Sequence, residues 1–272
     1  MLKQNINMTE QVLIGSLLGD GNLKINKRGI NAMFREIHGI KQKEYLLFKK
    51  RYLKCFYPEI KEGKIFDNRT NKHYARIVLW TKTHPILTEY FNLFYSKGKK
   101  NIPKEILNKV GPLALAIWYC DDGSFGYINQ NGKIATYLSY EDNKTLVEFL
   151  KEKFNIRCTI NKDGKSHHLY FSVKEIKKFL NLIKDYVPKC MNYKLGPLVK
   201  DNIVRLNEEN LKRREKDKIR YYKYMNDPIR RELIRKQHRE NHIRRMQNPE
   251  YRRKYYEYQK AYNETRKQSH IP

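Results

Sequence analysis

Two apolar runs, Leu13-Ile14-Gly15-Ser16-Leu17-Leu18-Gly19-Asp20-Gly21 and Leu115-Ala116-Ile117-Trp118-Tyr119-Cys120-Asp121-Asp122-Gly123, each close on a carboxylate and a glycine, with Asp20 and Asp122 102 residues apart. Gly15 and Gly19 lie four apart, share one helical face and leave no side chain to hold a neighbouring helix away. Two such runs constrain the chain to a duplicated fold in which the helices abut and their terminal acids converge. In a chain with 57 Lys+Arg against 29 Asp+Glu, a net charge of +28, paired carboxylates look assembled to hold metal against a polyanion.

That charge exceeds what solubility requires and points to an anionic partner, for which nucleic acid fits best. A membrane surface would attract it too, yet no apolar stretch nears the ~18 residues of a spanning helix. The start Met1-Leu2-Lys3-Gln4-Asn5 lacks a secretory apolar core, so an intracellular chain is expected, in cytoplasm or organelle matrix. Cys55, Cys120, Cys158 and Cys190 form no C-x-x-C pair and read as reduced packing residues, not as a zinc ribbon or disulfide framework.

Composition shifts near residue 201. Residues 1–200 hold 36 basic and 18 acidic residues, all 13 glycines and every Trp and Phe; residues 201–272 hold 21 basic and 11 acidic residues and none of those three types. The core therefore belongs to the front. There, Thr9 to Leu18 reads as a helix with Thr9 as N-cap, followed by strands at 23–26 and 31–37, a helix over 41–56, strands at 64–66 and 74–80, and a helix over 85–95. The same order returns as helix 112–119, strands 126–129 and 133–139 across an Asn131-Gly132 turn, helix 141–154, strands 157–161 and 168–172 across Asp163-Gly164, and helix 174–187. The expected fold is α+β: two pseudo-symmetric αββαββα repeats with antiparallel sheets, over 1–98 and 99–200, and a basic, Tyr-rich helical or partly disordered extension over 201–272. Each sheet would bury one side under helices and leave the other polar.

Outward strand positions and hairpin tips carry candidate DNA-binding side chains: Lys24, Asn26, Arg28, Arg35, Asn68, Arg69, Lys72, Arg76, Asn129, Gln130, Lys133, Asn161, Lys162, Lys165 and His167. A two-stranded ribbon fits a B-DNA major groove, where Arg and Lys suit guanine edges and Asn and Gln suit adenine. Each alone is equally explained as a solvated strand residue. Asp20 and Asp122, likewise, are each explained singly as Asp-Gly turn residues; their recurrence in matched contexts, each before a hairpin, favours chemistry. Phosphodiester hydrolysis needs an activated water and a stabilised leaving alkoxide, which carboxylate-held divalent metals serve. Hard oxygen ligands favour Mg²⁺, with Mn²⁺ able to stand in.

These segments resemble the paired motifs of the LAGLIDADG homing endonucleases of the single-chain, two-repeat, intron-encoded type. The motif's final Asp falls on Asp20 and Asp122, and Trp118-Tyr119-Cys120-Asp121-Asp122-Gly123 is similar to the W-F-M-D-D-G form of second repeats. Ile117 replaces the first glycine and Asp121 the alanine, so helix contact there is expected to lean on Ala116 and Cys120. Lys99-Lys100-Asn101-Ile102-Pro103 resembles the family's K-K-x-I-P, and Pro188 to Leu195 its closing P-x-x-M-x-Y-K-L. The resemblance implies catalytic roles for Asp20, Asp122, Lys100 and Lys194, and a metal held by Asp20, Asp122, Gly19 and Asp121. Each lysine would polarise water or offset transition-state charge; a phosphate clamp is the alternative. His38 and the following Lys41 to Tyr45 also resemble a family segment, DNA-contacting or structural. Arg35 and Ser139 stand where the family often has Gln.

The implied activity is a Mg²⁺-dependent, staggered double-strand cut at a long asymmetric site, leaving 3′ overhangs and promoting intron homing, with saddle-shaped sheets in the major groove and the chain acting as a monomer. Relatives on this scaffold also assist group I intron splicing as RNA maturases, and others regulate transcription after losing catalysis. In the extension, Met225-Asn226-Asp227-Pro228 and Met246-Gln247-Asn248-Pro249 lie 21 apart and suggest Asx-Pro starts of successive helices. Interleaved Tyr and Arg there suit phosphate tracking, or a solvated surface.

Overall fold

The computed structural model describes residues 2–96, 98–164 and 166–268. The first half runs α1 (Leu2–Leu18), β1 (Asn22–Ile25), β2 (Ala32–Gly39), α2 (Lys43–Tyr52), β3 (Glu59–Asp67), β4 (Lys72–Trp80) and α3 (Pro85–Phe94). A two-residue ladder, β5 (Tyr95–Ser96) with β6 (Lys99–Lys100), and α4 (Lys104–Lys109) lead to the second half. That half repeats the order as α5 (Pro112–Asp122), β7 (Gly123–Gly126), β8 (Asn131–Ile134), α6 (Tyr140–Phe154), β9 (Thr159–Asp163), β10 (Ser166–Phe171) and α7 (Val173–Ile183). The sheets have matching antiparallel orders, β1-β2-β4-β3 and β7-β8-β10-β9, so the α+β, two-repeat reading stands. After 3-10 segments over Lys184–Tyr186 and Lys189–Leu198 come α8 (Lys200–Met225), α9 (Pro228–Met246) and α10 (Pro249–Gln268).

Residues 1–209 form one compact unit and 210–272 another. In the first unit, α1 packs its glycine-bearing face against α5. A Cβ on Gly15 would lie 2.5 Å from the Ala114 carbonyl oxygen and 2.7 Å from Ile117 Cβ, and one on Gly19 would lie 2.5 Å from Asp121 Cβ. The facing residues on α5 are thus Ala114, Ile117 and Asp121, not Ala116 and Cys120: the helix turns its 3-4-spaced row toward α1. Gln11 fastens the far end, donating to the Lys109 carbonyl and accepting from Gly111 N–H, each at 2.6 Å. Leu23, Phe34, Ile77 and Leu79 pack under the first sheet and Ile134, Leu169 and Phe171 under the second. The second sheet is covered partly by α7, whose Ile176, Phe179, Leu180 and Ile183 make one buried stripe. Each large buried apolar side chain contributes about 1.5–3 kcal/mol.

Two local expectations change. Thr9 is not a cap, because α1 begins before it; its hydroxyl instead donates to the Tyr52 carbonyl at 2.7 Å, tying α1 to α2. Asn131-Gly132 is not the turn but the start of β8, opposite Gly126 and Phe125. Gly132 is needed there for room, since a Cβ would meet the Ile176 side chain at 2.3 Å, and the turn falls on 127–130 with Gln130 at φ +50.

In the second unit the Asx-Pro starts appear as expected. Asp227 accepts from Arg230 N–H at 2.9 Å, and Asn248 accepts from Glu250 and Tyr251 N–H at 2.9 and 3.1 Å. His242 of α9 and Tyr255 of α10 meet edge-on at 5.2 Å. Among the described residues α9 buries none, and no helix is long and apolar enough to cross a membrane.

Candidate active site and nucleic-acid interface

The C-terminal ends of α1 and α5 meet, and the carboxylates gather there. Asp20 N–H donates to Asp121 Oδ2 at 3.3 Å. Burial, aided by the negative charges of Asp20 and Asp121, lifts the Asp122 carboxyl to about 7 against the opposing Lys100 and Lys194. Asp20 remains half exposed.

Each helix end is met by one lysine. Lys100 Nζ donates to the Gly19 and Gly21 carbonyls at 3.0 and 3.1 Å. Lys194 Nζ donates to the carbonyls of Asp121, at 3.1 Å, Cys120 and Tyr119. These last carbonyls of a helix carry partial negative charge and lack helical partners. Burial lowers both ammonium pKa values, while Asp20, Asp121 and Asp122 act the other way.

Asp121 leads into a second, fully buried network. Lys49 Nζ lies 2.9 and 3.0 Å from its two oxygens and 2.5 Å from Glu36 Oε1, with all three side chains at zero exposure. Tyr45 OH donates to Asp121 Oδ1 at 2.7 Å. His38 bonds Glu36 through Nε2 at 2.5 Å and Gln42 through Nδ1 at 2.8 Å, and its Nδ1 is 3.8 Å from Asp20 Oδ2. Burial opposes the charge on Glu36, but Lys49 and His38 outweigh it and hold the carboxyl down at about 2. At Asp121 the balance reverses: burial, aided by Glu36 and Asp20, lifts the carboxyl to about 6 against Lys49 and His38. His38 is raised, Glu36 overcoming its burial.

The strand register identifies the counterparts. Asn22, Arg35, Trp80 and Glu59 share one row across the first sheet; Ser124, Lys133, Tyr170 and Thr159 share the matching row in the second. Arg35 therefore corresponds to Lys133, not to Ser139, which caps α6 by accepting from Asp142 N–H at 3.1 Å. Glu36 corresponds to Ile134 and His38 to Thr136, whose hydroxyl bonds Asn143 at 2.7 Å. Lys49, seven residues past the N-cap of α2, corresponds to Leu146 of α6.

A divalent cation fits only part of this cluster. Asp20, His38 and Asp121 each bring a ligand atom within 4.8 Å of the others, but Asp121 is held by Lys49 and Tyr45, and both His38 nitrogens are bonded. Asp20 and Asp122 differ: among the described residues neither carboxylate accepts a hydrogen bond from a protein donor within normal range, and the charge crowding on Asp122 is what a cation would relieve.

The uncovered sheet faces carry some of the expected interface. Lys24, Arg35, Lys72 and Arg76 alternate onto that face of the first sheet, opposite the buried Leu23, Phe34 and Ile77. Asn26 precedes the β1–β2 turn and Arg28 lies in it, and Asn68 and Arg69 lie in the β3–β4 tip. In the second half Lys133 and Asn161 share the uncovered face, and Asn129 and Gln130 lie in the β7–β8 turn. Lys162 and His167 do not join them; their register puts them on the helix side with Leu169, where the His167 ring meets Tyr140 at 5.7 Å. Lys165 lies outside the described residues. The uncovered faces are less polar than expected, since Trp80, Ile37 and Val78 share them.

The profile of the LAGLIDADG DNA endonuclease family matches residues 10–179. The chain belongs to this family. It is 31% identical over 212 residues to the DNA endonuclease I-ChuI of Chlamydomonas applanata, covering 70% of this chain and 97% of that one. It is 30% identical over 195 residues to the cytochrome b mRNA maturase bI2 of Debaryomyces hansenii, covering 68% and 72%. Protein RecA of Mycolicibacterium flavescens is 33% identical over 203 residues, which is 69% of this chain but only 46% of that protein. Among solved structures, the homing endonuclease I-WcaI bound to its DNA recognition sequence matches with a TM-score of 0.63 at 25% identity, over 70% of this chain and 86% of that one.

Within this LAGLIDADG chain, the residues that motif reading passes over are Glu36 and Lys49, while His38 and Tyr45, in the segment read as DNA-contacting or structural, join their network. A signal for them exists. Glu36 and His38 have the same parity in β2 as buried Ala32 and Phe34, and a charged residue at core parity implies a buried partner. Lys49 sits four residues after Tyr45 on the inward face of α2.

Proposed function

We propose that this LAGLIDADG protein is a site-specific endonuclease that makes a metal-dependent, staggered double-strand break at a long asymmetric DNA target, promoting intron homing. The observation that carries the reading is the meeting of Asp20 and Asp122 at one junction, with Lys100 at one helix end and Lys194 at the other. Residues 1–98 and 99–200 would act as the two repeats of a monomer, each facing one half-site with its uncovered sheet, while 201–272 adds backbone contacts.

Asp20 and Asp122, with the main-chain oxygens of Gly19 and Asp121, are the groups to hold Mg²⁺, or Mn²⁺ in its place. When bound, such a cation supplies a Lewis acid for phosphate oxygens and acidifies a coordinated water. Asp121 would contribute its main chain rather than its carboxylate, which Lys49 occupies; the Gly19 and Asp121 carbonyls, already accepting from Lys100 and Lys194, each keep a second lone pair for the cation. Lys100 and Lys194, with pKa values lowered by burial, are poised to polarise the attacking water or to offset charge on the phosphorane-like transition state. One lysine per helix end matches one hydrolysis per strand.

The test is selection of cleaved duplexes from a randomised library with Mg²⁺ or Mn²⁺, followed by Asp20→Asn and Asp122→Asn on the selected target. Each variant should lose double-strand cutting below detection while retaining binding. Undiminished cutting by either would remove the proposed centre. The likeness to the bI2 maturase supports a second reading, assistance of group I intron splicing. Faster splicing of a host intron by the Asp20→Asn protein would establish that activity independently of cleavage.

A further inference from the structure

The two halves differ most in how far their outer hairpins reach. Counting from the matched rows through Trp80 and Tyr170, Arg76 corresponds to Ser166 and Gly63 to Asp163. The second half turns at that point through Gly164. The first half continues, with Lys64–Asp67 paired to Lys72–Ala75, before turning. No third strand accompanies this stretch, since the β2 pairing ends at Gly39 opposite Arg76. Residues 61–66 and 71–75 are exposed on both faces. The turn itself is well made: Asp67 accepts from Arg69 N–H at 2.9 Å and Asn71 takes φ +53.

Four further residues per strand extend the ribbon by ~13 Å, about four base steps of duplex. The ribbon continues the uncovered face of the first sheet, with Lys72, Tyr74 and Ile65 in line with Arg76. Phe66 lies on the other face of the ribbon, its ring 5.0 Å from that of His73, but Ile65 and Tyr74 on this face are each about half exposed, which water does not favour. Thymine methyls in a major groove suit them, and a two-stranded ribbon fits that groove's width. Lys64, Arg69 and Lys72 add positive charge, and the lone acid, Asp67, is engaged by Arg69.

We infer that the β3–β4 arm reads about four base pairs beyond the reach of the second half, so that the target has unequal half-sites, the longer one on the first-half side. This rests on the DNA-binding reading above. The experiment selects duplexes by binding, with metal chelated, using the full-length protein and a variant whose residues 64–75 are replaced by Gly-Lys, the two residues between Asp163 and Ser166 in the second half's sequence. Base preference around the centre should extend about four base pairs further on one side, and the shortened arm should erase that end alone, with the same trimming in a hydroxyl-radical footprint. The double variant Lys72→Ala/Tyr74→Ala, which leaves the backbone intact, should lose preference over the same outer pairs. Equal half-sites, or an unchanged outer footprint in both variants, would overturn the inference while leaving DNA binding intact. Failure of the full-length protein to select any duplex would sink the DNA reading and the arm with it.

Discussion

Beside Asp20, the first half places Glu36, His38 and Lys49 where the second half has Ile134, Thr136 and Leu146. Both sets pack between a sheet and a helix at zero or near-zero exposure. The second half shows that this space folds perfectly well with apolar side chains and one Thr136–Asn143 hydrogen bond. Burying ions there instead carries a desolvation penalty that their mutual attraction offsets only with good geometry. The charged set therefore answers to something besides packing, and the thing it touches is Asp121, next to Asp122 and facing Gly19.

The largest effect expected from breaking this contrast is on stability. Lys49→Met leaves Glu36 and Asp121 buried without their cation and should destabilise by ~3–5 kcal/mol, read as a shift in urea midpoint. The triple variant Glu36→Leu/Lys49→Met/Asp121→Ala, which imitates the second half, should recover most of that loss or exceed wild type. If the triple variant is as unstable as the single one, the network is a packing requirement of the first half. If it is stable but cuts more slowly at saturating metal, the network positions the helix junction.

The same contrast explains what could be read from the sequence. Helix and strand order was legible because the apolar periodicities are strong, and Asp20 and Asp122 were legible because they recur at the ends of two apolar runs, each before a hairpin. The hydrogen-bond network was not, because Glu36 and Lys49 are 13 residues apart on different elements, and only the docking of α2 on the sheet brings them to Asp121. The Asn131-Gly132 turn misled for a related reason. Its local preference lost to Ile176, a residue from α7 that needs the space beside Gly132.

A smaller effect should separate the two terminal acids of the motifs. Asp122 is raised from an ordinary value near 3.8 to about 7 in the fold, whereas an unfolded chain would ionise it near 4. Between those pH values the folded protein holds the extra proton, so this group's contribution to stability declines as pH rises from about 4 to about 7 and is fully unfavourable above that. Asp122→Asn removes the penalty and should stabilise the metal-free protein by at least ~1 kcal/mol at pH 8, with the gain vanishing near pH 4. Asp20→Asn, on a half-exposed side chain, should gain less. Equal melting curves for Asp122→Asn and wild type at pH 8 would mean that the carboxylate is not crowded.

The smallest effect concerns the second unit, where neither half's logic applies. A helix with seven Arg or Lys against two Glu and no buried residue gains little from packing; its charge is either a solubilising coat or a phosphate-tracking surface. The distinction is thermodynamic, because contacts to phosphate release counterions and steepen the salt dependence of binding by about 0.9 per contact. Replacing exposed Arg230, Arg235, Lys236 and Arg239 by Gln should leave cutting at low salt unchanged and make the log–log salt slope shallower by roughly one to three units. A coat would leave the slope where it was, and the roles of the two units would then divide completely, with all recognition carried by the paired sheets.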